Sequence, residues 1–191
     1  MLQVFGLISG LFAVLEFIPY IRDILKLRAR PQRATFLIWG MLGSIAFFSQ
    51  LSKGASYSLF LPGFETLGTI FIFLLTIKYG VGGFSKRDYV TLFIAIVGLI
   101  IWYFTKEAAV ALYITILVDM AGNYLTIHKT YLDPKSETNM FWILAALSGF
   151  FAALAVGSFN VILLSYPVYI VFANLAVVVA IRMGLSRKLR K

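Results

Sequence analysis

The sequence predicts an all-α integral membrane protein with seven transmembrane helices, arranged as a 3-1-3 parallel repeat of triple-helix bundles. Of its 191 residues, 61% are hydrophobic and only 13% are charged. These are too few polar residues to cover the surface of a soluble globular protein of this size. Seven apolar runs of bilayer-spanning length recur along the chain. Lysines and arginines are concentrated in alternate connections between these runs, a pattern typical of membrane proteins.

Each predicted span approaches the roughly 20 apolar residues that cross a bilayer. The first run lacks the positively charged start of a signal peptide, so we interpret it as a retained span. The fourth run is the shortest, and only Lys106 and Glu107 separate it from the fifth. The spans are predicted at about 2–22, 34–52, 58–79, 89–105, 108–127, 139–157 and 160–182.

The spans group into three units. Residues 1–80 are predicted to form the first triple-helix bundle, residues 81–107 a linker helix, and residues 108–191 the second bundle with a basic cytoplasmic tail.

The basic residues predict the orientation of the chain. Fifteen of the 17 follow spans one, three, five or seven, and only Lys53 and Lys106 lie on the other side. The positive-inside rule therefore predicts an N-terminus outside and a C-terminus in the cytoplasm, and we expect a bacterial inner (plasma) membrane. The formal charge of +9 would also suit a nucleic-acid partner, but short basic connections between apolar runs argue against nucleic acid.

The chain repeats about half of itself after 103 residues. Between residues 16–51 and 119–154, eight of 36 aligned positions are identical, and the acid Glu16 aligns with Asp119. The pattern Pro-x3-Thr-x3-Trp occurs in both copies. Spans one to three then correspond to spans five to seven. An odd number of helices separates each helix from its counterpart, so the repeat is parallel and not inverted.

Two acids inside predicted spans are the main functional candidates. A carboxylate near the centre of a bilayer costs about 3 kcal/mol even on low insertion scales, so Glu16 and Asp119 are expected to face a cavity or a partner. Such an acid can become neutral by taking up a proton, which would suit proton coupling. The alternative is that each acid only fastens helices together. We favour a role in proton coupling or substrate binding, because both copies carry the acid.

Two helix-weakening residues are candidate hinges. Pro19 removes a backbone hydrogen bond and is expected to kink span one about one turn after Glu16. Its counterpart in the second copy, Gly122, also weakens a helix. The alternative is a passive kink tolerated by the neighbouring helices. Tyr20 and Asn123, which follow these residues, are candidate substrate ligands.

Further polar and aromatic residues complete the predicted binding set. Thr69 and Asn174 are expected near mid-membrane. For each, we weigh equally a contact with substrate and a hydrogen bond that joins two helices. Glu65, near the outer end of span three, is either a second site residue or a side chain that reaches the interface. Trp39 and Trp142 could line the cytoplasmic end of a cavity, but we modestly favour interfacial anchoring.

The chain offers little for catalysis. It has no cysteine and a single histidine, His128, near a predicted interface, so neither a disulfide nor a metal site is expected. No nucleophile, base and orienting residue recur at a usable spacing, so we predict that the protein is not an enzyme. No cofactor is expected.

A seven-span layout with a proline low in span one and a basic turn after it resembles the PQ-loop superfamily. That superfamily includes the SWEET sugar carriers, the cystinosin-like amino-acid exporters and the KDEL receptors. The resemblance covers nearly the whole chain in topology, and residues 16–42 and 119–145 in motif. Pro19-Tyr20 and Gly122-Asn123 stand where the family has its Pro-Gln signature, so the second copy lacks the proline.

The resemblance implies a central cavity lined by spans one, two, three, five, six and seven. It also implies that Asn174 lies near the position of the substrate asparagine of the SWEET carriers. Glu16 and Asp119 are similar to the titrating acids of proton-coupled relatives.

The expected function is transport of a small polar solute, such as a sugar, an amino acid or a vitamin-like compound, by alternating access with protons as a candidate coupling ion. The alternative is a membrane receptor or sorting adaptor of the same fold, without net transport. A third alternative is a purely structural membrane protein. The expected partners are the lipid bilayer, the solute and protons, and homo-oligomerisation is left open.

Overall fold

A computed structural model of the chain describes residues 1–189 except residues 30, 32, 136 and most of 81–106. The secondary structure of the described residues is entirely helical. The helices are α1 (Leu2–Leu15), α2 (Phe17–Leu25), α3 (Arg33–Ser52), α4 (Phe60–Tyr79), α5 (Ala108–Leu132), α6 (Asn139–Ala155) and α7 (Val161–Leu189), with a 3-10 helix (Tyr57–Leu59) before α4.

Several of these helices have the length and composition of membrane spans. Within the described residues, five helical stretches are long and apolar enough to cross a membrane: Leu2–Leu25, Arg33–Ser52, Tyr57–Tyr79, Ala109–Leu132 and Val161–Lys188. The helix α6 is apolar but shorter, with 17 residues. The five stretches correspond, in this order, to predicted spans one, two, three, five and seven. The helix α6 corresponds to predicted span six. The predicted fourth span, at 89–105, lies largely outside the described residues.

The described spans form a closed ring. Each packs mainly against two neighbours, in the order α1, α4, α3, α5, α7, α6 and back to α1. Thus α4 lies between α1 and α3, and α7 lies between α5 and α6. The two groups of three meet at two interfaces, α1 with α6 and α3 with α5.

The described basic residues of 22–33, 78, 129–135 and 182–188 lie at one end of the helices, which we call the basic face. There the Arg33 guanidinium donates to the carbonyls of Thr76 (2.9 Å) and Ile77 (3.2 Å) at the end of α4. Arg187 donates to the last carbonyls of α5 in the same way. Cations at helix C-termini are favourable. The helices α5 and α7 extend past their predicted ends at 127 and 182, and the Arg187 contact joins the two extensions.

Small residues allow α1 to approach its neighbours closely. Its buried face consists of Gly6, Ser9, Gly10 and Ala13. The Ser9 hydroxyl donates to the Ser148 carbonyl (2.9 Å), and the Ser148 hydroxyl donates to the Ser9 carbonyl (2.8 Å). Small residues and interhelical hydrogen bonds are the usual means of helix association in membranes. This reciprocal pair, here called the serine pair, joins α1 to α6.

Alanine at Gly6 is expected to destabilise the protein by about 1–3 kcal/mol, because a Cβ there would overpack the helix contact. It would lie 2.6 Å from the Tyr57 carbonyl oxygen. Alanine normally favours a helix over glycine by about 1 kcal/mol. A loss of stability in Gly6→Ala protein would therefore indicate the close helix contact and not helix propensity. Gly122→Ala is the matched control, since its Cβ would meet only Trp39 Nε1, at 4.0 Å. Thermal unfolding in detergent measures both, and a Gly6→Ala protein as stable as the control would contradict the packing.

The first span is divided between α1 and α2 at Glu16, which keeps helical backbone angles (φ −60°, ψ −34°) and donates its N–H to the Phe12 carbonyl (3.0 Å). The ring nitrogen of Pro19 has no hydrogen to donate to the Leu15 carbonyl, so one helical hydrogen bond is missing beside Glu16. A kink of the span at Pro19 stays a prediction. The helix α5 is continuous through Gly122.

Candidate functional site

A cavity with polar and aromatic side chains in its lining lies inside the ring of helices. Its volume is about 90 Å³, which is room for several waters, since one water needs on the order of 10–15 Å³. Residues from all the described spans line it: Glu16, Phe17, Trp39, Leu42, Gly43, Glu65, Thr66, Thr69, Thr115, Asp119, Asn123, Phe141, Trp142, Ala145, Tyr166, Ile170, Ala173 and Asn174.

Three carboxylic acids from three spans face this cavity. Glu16 lies at the junction of α1 and α2, Glu65 in α4 and Asp119 in α5. Glu65 is within electrostatic range of both Glu16 and Asp119, and Glu16 is only 2% exposed. Acids at membrane depth are costly, and such residues usually mark a pathway for a solute or ion.

Two tyrosines of α7 hold two of the acids. Tyr166 donates its hydroxyl to Glu65 Oε2 (3.2 Å), and Tyr169 donates to Asp119 Oδ2. The third acid differs, because Glu16 Oε2 has no hydrogen-bond partner among the described residues. Two acids are thus fixed in position by the protein, whereas one is left for a ligand or a proton.

Three further groups at the cavity have buried polar atoms that lack a hydrogen-bond partner among the described residues: Thr66 Oγ1, Asn123 Oδ1 and Trp142 Nε1. Asn123 is 9% exposed and Trp142 is 6% exposed. A buried orphan group costs about 1–3 kcal/mol, so each one calls for an explanation such as a bound water or ligand.

Eight of the nine predicted ligand residues line the cavity. Glu65 lies there, which favours the first of its two predicted roles, a second site residue. The modest preference for interfacial tryptophans does not fit Trp142, which is almost fully buried. The residues brought together are Glu16, Trp39, Glu65, Thr69, Asp119, Asn123, Trp142 and Asn174.

Tyr20 is the exception, since it lies outside the cavity lining. Its ring packs against Phe36 and Phe141, with centroids 5.7 and 5.4 Å away. Phe17 and Trp39 complete this group, here called the aromatic cluster. The cluster lies between the cavity and the basic face, so Tyr20 belongs to the closure of the cavity and not to its lining. The candidate hinges Pro19 and Gly122 also lie outside the lining.

The sequence did not single out Tyr166, Tyr169 or Thr115. A helical stripe could have found Thr115, because Thr115, Asp119 and Asn123 recur every four residues along α5. In α7, Tyr166 and Asn174 likewise share a face.

The fold and the cavity together define a class: an all-helical protein with five described helical stretches apolar enough to span a membrane and a cavity with three acids inside the helix ring. Among the described residues, no group of three or more His, Cys, Asp or Glu side chains is arranged to hold a metal ion. No protein-family model, curated protein or solved structure matches the chain.

Proposed function

We propose that the protein is a membrane transporter that moves a small polar solute by alternating access, with protons as the coupling ion. One observation carries this proposal. Glu16 and Asp119, the acids at equivalent positions of the two sequence repeats, line one cavity at the centre of the helix ring. A shared central site between two repeats is the arrangement on which alternating access depends.

The proposed transporter has seven spans in a 3-1-3 order. The helix α4 ends at Tyr79 on the basic face, whereas Glu107, just before α5, forms an ion pair with Lys53 (3.3 Å) at the opposite face. The chain therefore changes face between residues 80 and 107, which supports a fourth span there. The packing of α4 between α1 and α3, and of α7 between α5 and α6, supports two equivalent bundles.

The proposed orientation has the basic face in the cytoplasm of a bacterial cell and the N-terminus outside. The clustering of described lysines and arginines at that face supports it. We also propose that the chain is a divergent member of the PQ-loop superfamily. The contribution of spans one, two, three, five, six and seven to the cavity supports this relationship.

Alternating access requires the cavity to open to each face in turn. The serine pair closes the α1–α6 interface on the side of the opposite face, and the aromatic cluster closes the side of the basic face. Pro19 leaves the Leu15 carbonyl, next to Glu16, without its helical donor. Bending at this point would move the acid itself, so binding at Glu16 and movement of span one are coupled in the proposed cycle.

Uptake by proteoliposomes tests the proposal directly. The full chain would be reconstituted and offered sugars, amino acids and vitamins, with and without an imposed pH gradient, against protein-free liposomes. Saturable uptake of at least one solute is expected. Folded protein that moves none of them would overturn the proposal. Ligand binding without flux that also requires residues 187–191 would favour the receptor alternative.

Alanine at Gly122 is expected to slow uptake several-fold while leaving the melting temperature unchanged or higher. The extra Cβ has room and removes about 1 kcal/mol of backbone freedom in a continuous helix, so α5 would bend less readily. Leu117→Ala, on an exposed side of the same helix, is the matched control and should transport normally. Initial uptake rates measure the difference, and equal rates for Gly122→Ala and wild type would exclude bending there.

A further inference from the structure

The charge of the cavity is unbalanced. Its lining includes three acids and, among the described residues, no lysine, arginine or histidine. Four of the described basic side chains have partners elsewhere: Lys53, Lys129 and Lys188 pair with acids near the faces, and Arg33 donates to helix carbonyls. A buried carboxylate needs a proton or a positive partner. The cavity therefore disfavours anions and favours cations.

The walls between the acids are aromatic. Phe17, Trp39, Phe141, Trp142 and Tyr166 all line the cavity. Aromatic faces attract ammonium groups, most strongly where water is excluded. Carboxylates combined with aromatic rings suit an organic ammonium better than a hard metal ion, which takes six or more oxygen ligands.

The unsatisfied atoms indicate what else the ligand carries. Glu16 Oε2 and Asn123 Oδ1 are acceptors that call for N–H donors, and Trp142 Nε1 is a donor that calls for an acceptor. A ligand with an ammonium group and a nearby neutral oxygen supplies the kinds of donor and acceptor that these three atoms require, and Thr66 Oγ1, also unsatisfied at the cavity, can pair with either group.

The volume of the cavity, about 90 Å³, has room for a compact amine of a few non-hydrogen atoms, since it has room for several waters.

We propose that the cavity binds a small primary ammonium compound that also carries a hydroxyl group, that is, an amino alcohol. The inference deepens the proposed function and rests on it for the statement that the compound is transported. The ammonium group lies against Glu16 and Asn123, the hydroxyl accepts from Trp142, and the aromatic walls surround the carbon atoms.

Calorimetric titration of the full chain in lipid nanodiscs tests the inference with four probes of nearly equal size. Ethanolamine has both groups, 1-propanol replaces the ammonium by methyl, propylamine replaces the hydroxyl by methyl, and glycolate reverses the charge. Ethanolamine is expected to bind about a hundredfold more tightly than 1-propanol and up to about tenfold more tightly than propylamine, from the usual strengths of charged and neutral hydrogen bonds. Glycolate is expected not to bind.

Two variants assign the contacts. Glu16→Gln is expected to weaken ethanolamine binding about tenfold or more. Trp142→Phe keeps a ring but removes the N–H group, so it should erase the preference for ethanolamine over propylamine while propylamine affinity is retained. Binding of 1-propanol or glycolate as tight as that of ethanolamine would overturn the inference, as would an unchanged preference in folded Trp142→Phe protein.

Measuring ethanolamine binding and solute uptake separately distinguishes a failure of this inference from a failure of the proposed function. Ethanolamine binding without ethanolamine uptake into proteoliposomes would support the ligand class and count against transport. Uptake of a neutral sugar by protein that does not bind ethanolamine would support transport and overturn the ligand class.

Discussion

Glutamine in place of Glu16 is expected to reduce solute uptake about 10–100-fold without loss of stability, since a charged hydrogen bond to a ligand is typically worth about 1.5–3 kcal/mol. The carboxylate is 2% exposed, and its Oε2 atom has no hydrogen-bond partner in the described chain. Its charge therefore does little for the fold. Because an uncompensated buried charge is costly, neutralisation should leave the melting temperature unchanged or raise it.

Asp119→Asn provides an informative contrast. Asp119 accepts a hydrogen bond from Tyr169 and interacts with Trp39, so asparagine would weaken contacts that join α5 to α7 and α3. Uptake is expected to fall here as well, and the melting temperature should be lower than in Glu16→Gln. Glu107→Gln, at an exposed ion pair, is the control and should transport normally. Full uptake by Glu16→Gln protein would remove the acid from the mechanism.

A disulfide between residues 9 and 148 is expected to reduce uptake to the background of protein-free liposomes. The Ser9 and Ser148 hydroxyl oxygens lie 3.3 Å apart, and a disulfide joins sulfurs about 2.0 Å apart, so small adjustments suffice. The chain has no native cysteine, so Ser9→Cys combined with Ser148→Cys gives one defined cross-link. Oxidation would hold α1 against α6 and prevent the opening that alternating access requires.

The reducing agent dithiothreitol should restore uptake in the same preparation. The two single-cysteine variants, treated with the same oxidant, are the controls and should be insensitive to it. Cross-linked protein that transports as fast as the reduced form would show that α1 and α6 need not separate.

Much of the helix ring could be predicted because the bilayer leaves few choices. Each backbone polar group must be satisfied within a span, so apolar length alone located the helices. Acids are so costly at membrane depth that Glu16 and Asp119 could be predicted to face inward. Their recurrence at equivalent positions of the two repeats pointed to one shared cavity.

Other features could not be predicted from composition or spacing. The chain has 10 tyrosines and 18 phenylalanines, so nothing local distinguishes Tyr169, which binds Asp119, from an aromatic residue facing lipid. Tyr20 was expected at the ligand but lies in the aromatic cluster, because its position depends on how α2 meets Phe36 and Phe141. The ring order of the helices likewise depends on tertiary contacts.

The two interfaces between the helix groups are chemically unlike, although the repeat makes them equivalent. Apolar side chains join α3 to α5, including Ile38, Leu42 and Val118, whereas the serine pair joins α1 to α6. Apolar helix surfaces can separate into lipid or slide past each other at little cost. Parted serines instead leave polar groups that only water can satisfy. Opening at α1–α6 is therefore a hydration event, in which water entering from the adjacent aqueous phase replaces the lost hydrogen bonds, and dehydration favours closure.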